Sequence, residues 1–282
     1  MIEKRPLEFS FEKIIKDALY EDLGQQGDIT SNSVIDKNLE NNFVLKSRSE
    51  GVISGLQVAE LSFMTLDRRL SFEKKIDNGS NVKNGDIIAS VKGNAASILS
   101  AERTALNFLS HLSGIASATS EMANLISETN TKIVSTRKTT PNLRILEKFA
   151  VKDGGGMNHR FGLYDGILIK DNHLALSGSI TNSVSLAREK CGHMINIEVE
   201  VDNLDQYREA LETQTNAILL DNFNIEDLLK AVNLNKKNII LEASGKITKD
   251  NILEIAKTGV NLISSGWLTH SSPSLDIGLD FS

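Results

Sequence analysis

The sequence predicts an α/β protein in two parts, and three observations predict it. Up to about Gly114, helices and short strands mix without a regular order. From about Lys132, strand, loop and helix repeat in turn. Each of six apolar strands in that repeat runs into a polar or charged residue at its C-terminal end. A chain of 282 residues suits about two domains. Hydrophobic residues make up 40% of it, enough for real cores, which excludes disorder.

In the first part, Phe11, Ile14, Ile15, Ala18 and Leu19 recur at helical spacing, and Gly24 is placed to end that helix. Strands are predicted over Asn42 to Ser49, Leu70 to Ile76 and Asp86 to Val91. The turns around them carry Glu50-Gly51, Asn78-Gly79 and Asn84-Gly85, which supply left-handed backbone at little cost. Ile98, Ala101, Ala105, Leu109 and Leu112 predict a second helix, stopped near Gly114. No Pro or Ser cluster marks a flexible linker, so the boundary is one of pattern. We place the domains at 1–114 and 115–269, with the tail 270–282 packing back on the first.

The strands of the second part are Lys132 to Thr136, Gly166 to Lys170, Asn196 to Val201, Ala217 to Asp221, Asn238 to Ser244 and Asn261 to Ser265. They are short and apolar on both faces, as expected where helices cover a parallel sheet. Such alternation gives an α/β barrel or an open doubly wound sheet. Six strands are fewer than the eight of a full barrel, so an incomplete barrel and an open sheet are both compatible with it.

The polar ends carry the chemistry. Arg137 and Lys138 follow the first strand and Lys170 ends the second. Glu200 lies in the third and Asp221 ends the fourth, while Ser244 and then Ser264, Ser265 and Gly266 close the last two. In both candidate folds ligands bind at this edge. Any one such residue reads equally as a solvated turn; six on successive strands read as a site. Arg137, Lys138, His159, Arg160 and Lys170 form a cationic set suited to carboxylates and phosphates. Glu200 and Asp221 suit Mg2+, which bridges to substrate oxygens, or else ion pairs with the cations opposite. Ser244-Gly245-Lys246 precedes a helix and suits a phosphate at its N-terminus. Gly154-Gly155-Gly156 either offers N–H groups to an anion or ends a helix. Arg103, beside Glu102, reads as a surface pair. A Schiff-base lysine at Lys170 is the competing chemistry.

A net charge of −6 provides no global field for nucleic acid or an anionic membrane, so bound anions need a local basic pocket. The one cysteine, Cys191, forms no intrachain disulfide and reads as a packed thiol. Residues Met1 to Phe11 lack the apolar stretch of a secretory signal, and no run approaches membrane-spanning length. A cytoplasmic enzyme is expected.

Several segments are more specific. Thr136-Arg137-Lys138-Thr139-Thr140-Pro141, the stretch Gly154 to Arg160 and Leu168-Ile169-Lys170-Asp171-Asn172-His173 resemble the quinolinate phosphoribosyltransferase family. So do Glu102 to Leu109, Glu198 to Asp202, Leu220-Asp221-Asn222 and Leu241 to Gly245, in order along nearly the whole chain. The resemblance implies an N-terminal α/β sandwich plus a C-terminal incomplete α/β barrel. It implies transfer of phosphoribosyl from phosphoribosyl pyrophosphate to quinolinate with decarboxylation, in NAD biosynthesis, with Mg2+. It also implies a homodimer in which Arg103 completes the partner's site. On that resemblance Arg137, His159, Arg160 and Lys170 hold the two quinolinate carboxylates, with Lys138 between the two substrates. Glu200 and Asp221 serve the metal-bound ribose and pyrophosphate, Ser244, Gly245, Lys246, Ser265 and Gly266 cradle the 5-phosphate, and Thr136 and Ser264 join the substrate-binding set. Lys138, Lys170, Glu200 and Asp221 are the catalytic candidates. Lys246, Trp267 and Asn142 depart from the family pattern; Asn142 fits if its backbone is left-handed.

Overall fold

The structure is a computed structural model that describes residues 5–282, with side chains from residue 11 onward. The first four residues of the stretch read as lacking a signal lie outside the described residues. The described chain forms two compact units. One runs to Ser120 and takes in Thr140–Gly155 and Ser272–Ser282; the other is Glu121–Thr139 with Gly156–Ser271.

The helical spacing around Ile14 builds α1 (Arg5–Leu23). Asp28 caps α2 (Ile29–Val34) by accepting from the Ser31 N–H at 2.9 Å. Then come β1 (Glu40–Ser47), β2 (Gly51–Val52), α3 (Leu56–Leu66), β3 (Ser71–Lys74), β4 (Asn81–Val82), β5 (Ile87–Asn94) and α4 (Ala95–Leu125). The three predicted strands are β1, β3 and β5. The pairing of β2 with β4 escaped prediction, since two-residue strands carry no periodicity.

The second helix does not stop at Gly114; α4 continues to Leu125. A Cβ on Gly114 would lie 2.1 Å from the Pro273 carbonyl oxygen and 2.9 Å from Ser274 Cα. The residue serves close backbone approach, not helix termination.

The second part contributes β6 (Lys132–Val134), α5 (Arg144–Asp153), β7 (Ile167–Ile169), α6 (Asp171–Ser177), α7 (Ile180–Lys190), β8 (Ile197–Val201), α8 (Leu204–Leu211), β9 (Ala217–Asp221), α9 (Ile225–Leu234), β10 (Ile240–Ser244), α10 (Ile252–Lys257), β11 (Leu262–Ser264) and α11 (Trp267–His270). A final strand, β12 (Ile277–Phe281), follows.

Two main sheets result. In the first unit the order β12-β1-β5-β3 is antiparallel throughout. It buries Phe43, Leu45, Ile88 and Val91 with Phe63 of α3 and Ile98 and Leu109 of α4, so helices and sheet form a sandwich. In the second unit the six-stranded sheet runs β6-β11-β10-β9-β8-β7, parallel throughout. From β7 to β11 each strand neighbours the next in sequence, and β6 closes on β11. That order is the barrel order, without the reversal of a doubly wound sheet. β6 and β7 do not pair, so the barrel is incomplete.

Candidate active site

Side chains on a strand alternate between faces. Register pairs Leu168 with Glu198, Glu200 with Leu219, Leu219 with Glu242 and Glu242 with Leu262. Leu168, Lys170, Glu198, Glu200, Leu219, Asp221, Glu242, Ser244 and Ser264 therefore share one face. The opposite set, including Val199, Val201, Ile218, Leu220, Leu241, Ala243 and Ile263, is buried. All of the first set except Glu198 line a cavity of about 410 Å³ together with Thr136, Arg137, Lys138, His159 and Arg160. A second cavity of about 480 Å³ shares Thr136, Lys138, Asp221, Ser244 and Ser264. It adds Gly245, Lys246, Ser265, Gly266, Trp267 and His270.

Each side chain has a local reason for its place. Met157 bridges the free edge of β6: the Ser135 N–H donates to the Met157 carbonyl at 3.0 Å, and the Met157 N–H donates to Ile133 at 2.9 Å. This carries His159 and Arg160 to the barrel rim. The Asp165 carboxylate accepts the Phe161 and Gly162 N–H groups at 2.7 and 2.9 Å, folding the next loop. Arg160 reaches the Gly166 carbonyl through one guanidinium nitrogen at 2.8 Å. Burial, and then the neighbouring Arg137 cation, hold the Arg160 guanidinium below its usual pKa, while Glu198 and Asp165 oppose that shift. Two like charges over one cavity suit an anion.

Lys170 donates to Glu200 in a short contact, so the alternative reading of Glu200 as an ion-pair partner is present in this arrangement. Asp221 accepts from the Asn222 side chain at 2.7 Å. Gly245 lies at φ +99°, and a Cβ there would stand 2.3 Å from Asn222 Oδ1. Lys246 follows at φ +48°, where glycine would be unstrained, and Asn142 is left-handed at +67°. Gly266 supports the Lys138 stem: a Cβ there would be 2.8 Å from Lys138 Cδ. The Lys138 carbonyl accepts from Thr269 Oγ1 at 2.7 Å. Trp267 stands with its ring centre 5.9 Å from Lys249 Nζ.

Every predicted site residue except Arg103 thus lines one of two contiguous cavities. Arg103 is exposed on α4, in the first unit, and lines a different cavity of about 650 Å³ with Asp17, Glu21 and Asp22. The triple glycine ends α5: the Gly154 N–H donates to Ala150 at 3.0 Å and the Gly155 N–H to Lys152 at 2.9 Å, so those two donors are used by helix carbonyls.

Two acids escaped the sequence reading. Glu198 and Glu242 are buried, at 8% and 1% exposure, inside the strands. His159 Nε2 lies 2.7 Å from Glu198 Oε2 and 3.8 Å from Glu242 Oε2. Burial, reinforced by the Glu198 charge, pushes the Glu242 carboxyl up to about 7. The available signal was a carboxylate in mid-strand with one or two apolar neighbours on each side, a costly placement unless it is paired. The His159 ring also accepts the Arg160 N–H at Nδ1, at 2.8 Å. Nδ1 thus accepts, which leaves Nε2 as the ring's donor toward Glu198.

Among the described residues, the group of three or more His, Cys, Asp or Glu donors close enough to hold a metal is His159, Glu198 and Glu242. Glu200 and Asp221 offer carboxylate oxygens on adjacent strands, a donor set that fits an ion sharing its remaining positions with water and substrate. No helix among the described residues is long and apolar enough to cross a membrane.

An α/β barrel whose strand C-termini open on two contiguous cavities, one lined by Arg137, Lys138, Arg160 and Lys170, belongs to the class of barrel enzymes that bind their substrates at that rim. Within that class the chain belongs to the quinolinate phosphoribosyl transferase family, whose N-terminal domain matches residues 28–113 and C-terminal domain residues 115–280. It is 44% identical over 269 residues to a Bacillus subtilis protein named a probable nicotinate-nucleotide pyrophosphorylase (carboxylating), covering 95% of this chain and 92% of that one. A quinolinate phosphoribosyltransferase (decarboxylating) of Nicotiana tabacum is 37% identical over 289 residues, covering 96% of this chain and 82% of the relative. Among solved structures, the nicotinate-nucleotide pyrophosphorylase of Francisella tularensis superposes with a TM-score of 0.93 at 36% identity, over 97% of this chain and 96% of that one.

Proposed function

We propose that the chain transfers phosphoribosyl from phosphoribosyl pyrophosphate to quinolinate, releasing pyrophosphate and CO2 and giving nicotinate mononucleotide for NAD biosynthesis. The observation that carries this reading is the contiguity of the two cavities through Lys138, Asp221 and three hydroxyl residues. A dicarboxylate held by Arg137, Arg160 and Lys170 and a phosphosugar seated at Ser244 to Lys246 and Ser264 to Gly266 would meet there.

In the reaction the pyridine nitrogen forms a bond to the anomeric carbon as the carbon–oxygen bond to pyrophosphate breaks. Positive charge develops on the ribose, and Glu200 and Asp221 would stabilise it. Lys138 lies where both substrates are in reach. The bond from ring carbon to the 2-carboxylate then breaks. Its electron pair remains beside the cationic ring nitrogen and takes a proton. Mg2+ held by Glu200 and Asp221 would neutralise the leaving pyrophosphate. Arg103 is exposed, belongs to the first unit and lines neither of these two cavities, which supports its serving a second copy in a homodimer. A cytoplasmic location agrees with the single, unpaired Cys191.

Incubation with quinolinate, phosphoribosyl pyrophosphate and Mg2+ tests the reading. Stoichiometric CO2 and nicotinate mononucleotide are expected. Pyrophosphate release without CO2 would point to another acceptor, and no turnover at all would remove the reading.

A further inference from the structure

His159, Glu198 and Glu242 converge beneath the acceptor cavity, and none of the proposed reaction steps uses the two acids. Their ligand atoms lie within 4.8 Å of one another, close enough to hold a cation. The hydrogen bonds argue for a different use. With its Nδ1 lone pair engaged by the Arg160 N–H, the imidazole carries its proton on Nε2, pointed at Glu198. A nitrogen in that state has no lone pair for a metal. Glu242 Oε2 is buried without a hydrogen-bond partner and stands 3.8 Å from the same nitrogen.

We propose that Glu198 is a positioning residue for the acceptor half of the reaction: from inside β8 it locks the His159 ring as the Nε2–H tautomer, and the ring in turn fixes the Arg160 main chain, with Glu242 closing the far side. The inference rests on the assignment of quinolinate to the cavity lined by Arg137 and Arg160. Three observations support it. The ring's two nitrogens are spent within the protein, one on each side of the lock. Arg160 is held at a second point by the Gly166 carbonyl, so fixing its main chain fixes the direction of the guanidinium. The Glu198 charge also offsets the repulsion between Arg160 and Arg137. Glu198 thus supplies both a hydrogen-bond acceptor and a counter-charge, and the two can be separated by substitution.

Glu198→Gln keeps a carbonyl oxygen for the Nε2–H and loses the charge; Glu198→Leu loses both. With full-length protein, Glu198→Leu should raise the KM for quinolinate roughly tenfold, the scale of a buried donor left unsatisfied. The KM for phosphoribosyl pyrophosphate should stay within about twofold, since the lock does not reach that cavity. Glu198→Gln should recover much of the loss. Nitrogen-15 spectra of histidine-labelled wild-type protein should show His159 as the Nε2–H tautomer, and Glu198→Leu should abolish that signature. A wild-type Nδ1–H tautomer, an unchanged quinolinate KM in Glu198→Leu, or an equal rise in both KM values would overturn the proposal. The spectrum decides even if the leucine variant does not fold. Turnover of the wild-type protein, measured alongside, tests the reaction itself, so failure of the functional reading and failure of the lock give different results.

Discussion

Arg137 and Arg160 hold like charges over one cavity, and burial, followed by the Arg137 charge, lowers the Arg160 pKa. Replacing Arg137 with Ala relieves the repulsion between the two but removes one of the three cations proposed to hold the dicarboxylate. We expect the KM for quinolinate to rise roughly a hundredfold, as for other close charge pairs cut at one end. An unchanged KM would separate Arg137 from the acceptor. Glu242 gives a prediction of opposite character. Its carboxyl ordinarily titrates at 4.5 and in the fold is pushed up to about 7. Between those values the folded chain keeps a proton that the unfolded chain gives up, so the group's contribution is full below pH 4.5 and lost by about 7. Stability should therefore fall as pH rises through that window, and Glu242→Gln should flatten the fall. Urea midpoints measured across the window check it; identical slopes in variant and wild type would show that another group titrates there.

At the scale of elements, the barrel strands were readable because each is apolar and ends at a charge or a hydroxyl. The predicted span Ala217 to Asp221 coincides with β9, and the other five contain their strands. The partners of Glu198 and Glu242 were not readable. An acid in a strand shows its cost in sequence, but not that His159, which lies outside any strand, answers it. Gly114 failed for a related reason. A glycine late in a helical pattern looks like a stop, and only the chain coming back at Pro273 reveals the close approach. Gly114→Ala separates these meanings. In an ordinary helix interior the change stabilises by about 1 kcal/mol. Here the new Cβ would meet a carbonyl oxygen at 2.1 Å, a clash that outweighs the propensity gain. We expect a lower melting temperature and faster proteolysis after residue 271, where the Leu275 N–H bond to Ser110 anchors the segment. A higher melting temperature would mean that the segment shifts without cost.

For the whole molecule, the proposed homodimer turns on Arg103. This residue is exposed on α4, in the unit that does not contribute the two site cavities. If it acts on a neighbouring copy, the defects of Arg103→Ala and Glu200→Gln fall in different subunits' contributions to one site. Each variant alone should have low turnover. Mixed and allowed to exchange at equal amounts, half of the dimers become hybrids. Each hybrid has one doubly damaged site and one intact site, so activity should recover to about a quarter of wild type. If Arg103 acts within its own chain, every site in the mixture carries a defect and no recovery occurs. Recovery that scales with the fraction of hybrids, and disappears at dilutions that yield monomers, would tie turnover to the shared site and not to nonspecific stabilisation.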